Sequence, residues 1–124
     1  MVNHQLIAGR TAHLSAEDLA ALRESLHEQR LFRREQLQQL AGAAPARTDD
    51  VWRHDAASQV EVHVKLAACA RMVLADVEAA LRRMDEGRYG TCALCRGPVA
   101  RERLAVVPQA RYCGRCQQVR EAGR

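Results

Sequence analysis

Four of the five cysteines fall into two C-x-x-C pairs near the C-terminus. The pairs are separated by seventeen residues, a spacing typical of sites in which four thiolates bind one zinc ion. A C-x-x-C turn directs two thiolates at one tetrahedral ion, and two such turns complete the coordination shell. Because a four-cysteine shell leaves no open position for a substrate, we predict one structural Zn²⁺ ion. Its predicted ligands are Cys92, Cys95, Cys113 and Cys116.

Other candidates for chemistry are few. Cys69 stands alone within a helical pattern, where a cysteine is usually a small, half-buried side chain, and we assign it no function. The five histidines lack the i, i+4 pair with an acid that a metalloprotease helix carries. No nucleophile elbow, phosphate loop or dinucleotide fingerprint is present, so we expect that the protein is not an enzyme. The competing interpretation of the cysteine pairs is a redox switch, in which oxidation releases the zinc ion.

A short acidic segment lies between two predicted long helices. It contains three aspartates and the only tryptophan of the chain. Helix capping explains two consecutive acids at a helix start, but it explains a third acid and a tryptophan less well. We therefore predict a functional tip formed by Asp49, Asp50, Trp52 and Asp55.

Two helices are required to position this tip. The first begins at Ser15, with Asp18 at the capping-box position, and ends near Gly42. The second begins near Thr48 and runs to Asp85 without glycine or proline. Its apolar residues repeat in four heptads, as in a coiled coil. Position a is predicted at Val60, Ala67, Leu74 and Leu81, and position d at His63, Ala70, Val77 and Met84.

The short connection between these helices favours antiparallel neighbours. The predicted fold class is all-α with a small zinc module: an antiparallel helical hairpin (coiled coil) followed by a C-terminal four-cysteine zinc finger. We expect an N-terminal segment over 1–14, the hairpin over 15–86 with its tip near 42–55, and the zinc module over 87–124 with a short helix over 117–122. The alternative is a parallel homodimer through the second helix.

Composition and charge narrow the class of protein. Aromatic residues make up only 3% of the 124 residues, which disfavours a β-sandwich or barrel. No apolar run reaches the roughly 18–20 residues of a membrane span, and no signal peptide is visible, so we expect a cytoplasmic protein. Residues 88–124 carry eight arginines and two glutamates, whereas residues 1–87 are slightly acidic. A basic module of this kind suits a polyanionic partner or an acidic protein surface.

The C-terminal part resembles DksA/TraR-type bacterial transcription factors. The similarity lies in GRYGTCALC over residues 87–95, RLAVVPQA over 103–110 and CGRC over 113–116. It covers residues 80–117 well, and the preceding hairpin agrees in layout.

The resemblance implies a transcription regulator that binds bacterial RNA polymerase as a monomer, without sequence-specific DNA binding. In this family the coiled coil enters the secondary channel of the polymerase, and acidic tip residues approach the active site. The zinc module stays at the rim, where the basic residues Arg88, Arg96, Arg101 and Arg103 would dock.

Two features depart from the family pattern. The tip motif D-x-x-D-x-A is incomplete, because an ungapped count from Cys92 places Asp49, Trp52 and His54 on its three fixed positions. A shift of three residues matches Asp55 and Ala57 but places Trp52 on the first acid. The ungapped count places Cys69, Asp76 and Gln117 where members that bind the alarmone ppGpp use basic residues. A carboxylate would repel a polyphosphate, so we expect weak or absent ppGpp dependence through this surface.

Two other classes of function stay open. A nucleic-acid-binding zinc protein would use the clustered arginines to neutralise phosphates, although the chain lacks an array of aromatic residues for stacking on bases. A dimeric coiled-coil adaptor would use the zinc module only to complete its fold.

Overall fold

The structure, a computed structural model, describes residues 13–42 and 53–123, which form four helices. Within these ranges the only bridge between extended segments is an isolated antiparallel one, from Thr91 to Pro98. The predicted all-α fold is therefore confirmed. The helices are α1 (Ala16–Gly42), α2 (Arg53–Asp85), α3 (Arg101–Val106) and α4 (Gly114–Ala122).

The start of α1 is the capping box expected from the sequence. Ser15 Oγ accepts a hydrogen bond from the backbone N–H of Asp18 at 2.9 Å, and Asp18 Oδ2 accepts one from the backbone N–H of Ser15 at 3.0 Å. These bonds satisfy two donors that a helix start leaves unpaired. The backbone bond from Ser15 is the main cause that lowers the pKa of Asp18.

Helices α1 and α2 pair in antiparallel directions. Arg23, near the start of α1, forms an ion pair with Asp85 at the end of α2, at 3.2 Å. Farther along α1, Arg34 pairs with Glu78 at 2.9 Å. These pairs are solvent-exposed and contribute little stability, but their order along the two helices shows that the helices run in opposite directions. The hairpin predicted from the short connection is thus confirmed.

The predicted heptad seam is buried or half-buried from His63 to Met84 and fails only at its outer end. Ala70 and Val77 are buried, with exposed fractions of 1% and 0%, and His63 is half-buried. Val60, predicted at a core position, is instead 45% exposed. Cys69 is exposed rather than half-buried. Two helices alone cover only one face of each other, so outer positions keep contact with water.

Most of the buried apolar residues form one cluster at the base of the hairpin, where it meets the cysteine module. Leu26 of α1, Val77 of α2 and Leu104 of α3 are all fully buried in it. Burial of these apolar side chains is the main source of stability at this junction. The cluster consists of Leu14, Leu22, Leu26, Val77, Ala80, Leu81, Tyr89, Cys92, Val99 and Leu104.

Two features of the module differ from the sequence prediction. Helix α3 lies within residues 87–116, which show no helical period in the sequence. Helix α4 begins at Gly114, three residues before the predicted start, because Cys113 acts as its N-cap.

In the described part of the chain, no helix is long and apolar enough to cross a membrane.

Candidate metal centre

The four paired cysteines converge on one point. All four Sγ atoms lie within 4.8 Å of one another, and those of Cys95 and Cys113 are 3.8 Å apart. Zinc–sulfur bonds of about 2.3 Å in a tetrahedron place neighbouring sulfurs about 3.8 Å apart, so the spacing fits one zinc ion. The four cysteines therefore form a zinc-binding cluster, as predicted from their spacing.

The first C-x-x-C pair sits on a tight turn between Gly90 and Val99. The backbone N–H of Cys92 donates to Gly97 O at 2.7 Å, and the N–H of Arg96 donates back to Cys92 O at 3.0 Å. The chain closes this turn with Arg96 in the left-handed region, at φ +65°. The N–H of Gly97 then donates to Cys95 Sγ at 3.4 Å. Such a bond orients the sulfur and stabilises its thiolate form.

The second pair is built on the start of α4. Cys113 is the N-cap residue, and its Sγ accepts a hydrogen bond from the backbone N–H of Cys116 at 3.4 Å. A helix N-terminus favours negative charge, so a thiolate at this position is stabilised. The two turns are joined by a backbone hydrogen bond of 2.8 Å from Ala93 N–H to Arg111 O.

The thiols of the cluster differ in acidity. Burial raises the pKa of Cys92, but backbone hydrogen bonds, first from Cys95 and then from Cys113, outweigh it and lower the pKa to about 6. The backbone bond from Cys116 lowers the pKa of Cys113 as well. Cys116 shows the opposite shift, because its bond to Cys113 raises its pKa to about 12. Zinc binding displaces the protons that such a cluster holds.

Two further contacts hold the segment between the pairs. The buried Tyr89 hydroxyl donates to Pro108 O at 2.8 Å, and Arg103 Nε donates to Tyr112 O at 3.0 Å. The first contact joins the end of the α2 segment to the turn after α3. The second brings α3 against the residue that precedes Cys113. Both therefore fix the spacing of the two cysteine pairs.

The four arginines predicted at the rim are placed differently from one another. Arg101 forms an ion pair with Asp18 at 3.5 Å, which joins α3 to the start of α1. Arg103 is half-buried in the contact with Tyr112. Arg88 is exposed and contacts Glu86, and Arg96 is exposed beside the first cysteine pair. Only Arg88 and Arg96 share one concavity.

The predicted tip lies almost wholly outside the described residues. Asp49, Asp50 and Trp52 fall between the two described ranges. The backbone of Asp55 lies in the first turn of α2. Helix α1 ends at Gly42 and α2 begins at Arg53, and these helix ends lie opposite the base where the hairpin packs on the cysteine module.

Sequence reasoning missed three arginines that accompany Arg88 and Arg96, namely Arg82, Arg83 and Arg111. Arg83, on the last turns of α2, lines both concavities beside the first cysteine pair, and Arg111 lines the second. Burial, followed by the positive charge of Arg111, lowers the pKa of Arg83. The clustering of arginines after residue 82 was the available signal, but only the fold shows which of them face one another.

Comparison with known families supports the identity of the cysteine module. The family described as "Prokaryotic dksA/traR C4-type zinc finger" matches residues 87–122. An uncharacterised protein of Aquifex aeolicus (strain VF5) is 35% identical over 52 residues. That match covers 40% of this chain and only 36% of the Aquifex protein.

Comparison with solved structures extends the similarity to the whole fold. The structure of transcription factor DksA2 from Pseudomonas aeruginosa aligns with a TM-score of 0.78. The alignment covers 97% of this chain and 96% of that protein, at 21% sequence identity. Hairpin and cysteine module are thus arranged in one fold in both proteins.

Proposed function

We propose that the protein is a transcription regulator that binds bacterial RNA polymerase. Residues 87–122, which form a zinc finger of the DksA/TraR C4 type, support this proposal. The observation that carries the proposal is the DksA2-like fold over almost the whole chain, not over the zinc finger alone. At about 1.5 Å per residue, the 33 residues of α2 extend about 50 Å. A hairpin of this length can reach deep into a channel of a large partner.

In this proposal the hairpin enters the secondary channel of the polymerase and changes initiation without reading DNA sequence. The acidic tip delivers negative charge near the active site, and the basic zinc module stays outside. Of the predicted rim residues, Arg88 and Arg96 are the better docking candidates, because Arg101 and Arg103 already hold α3 in place. The zinc ion is structural and holds the module in shape.

The first test is a pull-down of purified bacterial RNA polymerase with the intact, zinc-loaded protein. We expect binding that a Gre factor, another secondary-channel protein, displaces. Absence of binding would contradict the proposal. Binding that the Gre factor leaves unchanged would place the contact outside the secondary channel.

The second test addresses the tip. Replacing the three acids by asparagine should leave polymerase binding largely intact and abolish the effect on transcription from a responsive promoter. Transcription like that of the wild type would show that the tip assignment is wrong. The variant carries D49N, D50N and D55N.

A further inference from the structure

A basic groove runs between the last turns of α2 and the turn that carries the first cysteine pair. It consists of two adjoining concavities with volumes of about 270 and 330 Å³. They share Arg83, Arg88 and Ala93 in their linings, so they adjoin one another on the same basic surface. Five guanidinium groups line it, from Arg82, Arg83, Arg88, Arg96 and Arg111.

Few negative charges balance these arginines. Arg111 pairs with Asp76 at 3.3 Å, and Arg88 contacts Glu86. Among the described residues, these are the ion pairs found along the groove. Arginines crowded in this way repel one another, and the chain keeps an excess of positive charge in a concave surface.

Arg83 lines both concavities, and the hydrogen bonds of its guanidinium group to the protein are long. Its side chain is half-buried, and its Nη2 reaches the carbonyl oxygens of Gln109 and Ala110 only at 3.5 and 3.4 Å. A guanidinium has five N–H donors arranged in a fork that matches carboxylate or phosphate oxygens. An anion in the groove would supply acceptors for the donors that the carbonyl groups leave free.

The groove is better suited to linked phosphoryl groups than to one small anion. Arg96 lines only the first concavity and Arg111 only the second, whereas Arg83 and Arg88 line both. A single phosphate offers one set of oxygens, whereas a short chain of phosphoryl groups offers several sets that arginines of both concavities can share. Arginine forks also bind phosphate oxygens in a bidentate manner, which strengthens each contact.

We propose that this groove, lined by Arg82, Arg83, Arg88, Arg96 and Arg111, binds a free oligophosphate. Its lining contains none of the three positions, Cys69, Asp76 and Gln117, that the sequence resemblance aligns with basic ppGpp-binding residues. Asp76 borders it only through its ion pair with Arg111. The proposal rests on the groove alone and does not require polymerase binding.

Isothermal titration calorimetry of the full, zinc-loaded chain with tripolyphosphate at low ionic strength tests the proposal. We expect binding that R88Q/R96Q weakens by about tenfold or more, since two charge-assisted contacts are lost. Both side chains are exposed, so this variant should fold. The matched control, R71Q/R115Q, removes the same charge from exposed positions outside the groove and should stay within about twofold of the wild type.

Four results would overturn the proposal. Equal weakening in both variants would mean that net charge alone attracts the ligand. Absence of binding at millimolar tripolyphosphate would show that the groove does not hold it. Heat accompanied by zinc release into solution would mean that the ligand chelates the metal. If duplex DNA binds more tightly than tripolyphosphate, and only R88Q/R96Q weakens that binding, the groove holds nucleic-acid phosphates instead.

Discussion

At the scale of single residues, two glycines of the same turn region differ in the space available for a side chain. Gly87 and Gly90 both adopt positive φ, at +74° and +85°. Open space surrounds the position of a Cβ on Gly87, whereas a Cβ on Gly90 would lie 2.9 Å from Leu14 Cδ1. Replacement of Gly90 therefore adds a clash with the core to the backbone strain.

We expect G90A to reduce the free energy of unfolding by about 2–4 kcal/mol, the sum of left-handed strain and overpacking. The variant G87A has the backbone strain without the clash, so its free energy of unfolding should fall by only about 1 kcal/mol. Urea unfolding of the two zinc-loaded variants compares them directly. Equal losses would show that Leu14 does not pack against Gly90 in solution.

Tyr89 links stability to alkaline pH. Its hydroxyl is buried and donates to Pro108 O, and burial raises its pKa from 10.0 to about 12. Because the folded-state pKa is higher than the unfolded one, the neutral hydroxyl stabilises the fold fully below pH 10. This contribution is lost as the pH rises from 10 to about 12, since the unfolded chain ionises first.

We expect Y89F to cost about 1–3 kcal/mol at pH 8, because the carbonyl of Pro108 loses its buried donor. The variant should also lose less stability than the wild type between pH 10 and pH 12. Urea midpoints across this range measure both effects. The control Y112F retains Tyr89 and should lose stability between pH 10 and pH 12 as the wild type does. If Y89F loses as much stability over this range as Y112F, Tyr89 is not the residue that links stability to alkaline pH.

Residue roles set by local spacing could be predicted from the sequence, and those set by the fold could not. A C-x-x-C turn needs only four consecutive residues, so the spacing alone identifies Cys92 and Cys116 as zinc ligands. The grouping of Arg83 with Arg111 depends on how α2 packs against the cysteine module. Residues far apart in sequence carry no period or motif that predicts such a meeting.

At the scale of elements, helix length determined which helices could be predicted from the sequence. Helix α1 has 27 residues and α2 has 33, enough for apolar spacing and caps to be visible. Helix α3 has only six residues and one buried side chain, Leu104, which is too short for a period to appear. The heptad pattern also overestimated the extent of the core, because it cannot show where a two-helix seam opens to water.

Two valines of α2 test where the seam of the hairpin ends. Val77 is fully buried and Val60 is 45% exposed, although both fit the same heptad pattern. We expect V77A to lower the free energy of unfolding by about 2 kcal/mol, from lost burial and a small cavity. The same substitution at Val60 should change it by less than about 0.5 kcal/mol. Similar losses in thermal or urea unfolding would mean that the seam extends to Val60, as the heptads alone predict.

At the scale of the whole molecule, hairpin and zinc module share one core. The sequence suggested a division near residue 87, because glycines and cysteines begin there. The buried cluster crosses this point, since Leu14 and Leu26 belong to it together with Tyr89 and Cys92. Leu14 precedes the first helix, where no pattern marks it as a core residue. A small module with few apolar residues cannot bury a large core alone, so it depends on metal and on the hairpin base.

Removal of one zinc ligand should therefore lower the local stability of the hairpin base as well as that of the zinc module. We expect C95S to lose zinc and to speed amide hydrogen exchange both in residues 87–122 and around Leu26 and Val77, while the outer part of α2 keeps wild-type exchange. The control C69S makes the same substitution at an exposed position outside the cluster and should retain zinc and protection. Zinc content and exchange of both variants measure the effect. Unchanged exchange at Leu26 and Val77 in zinc-free C95S would show that the hairpin base folds independently of the metal.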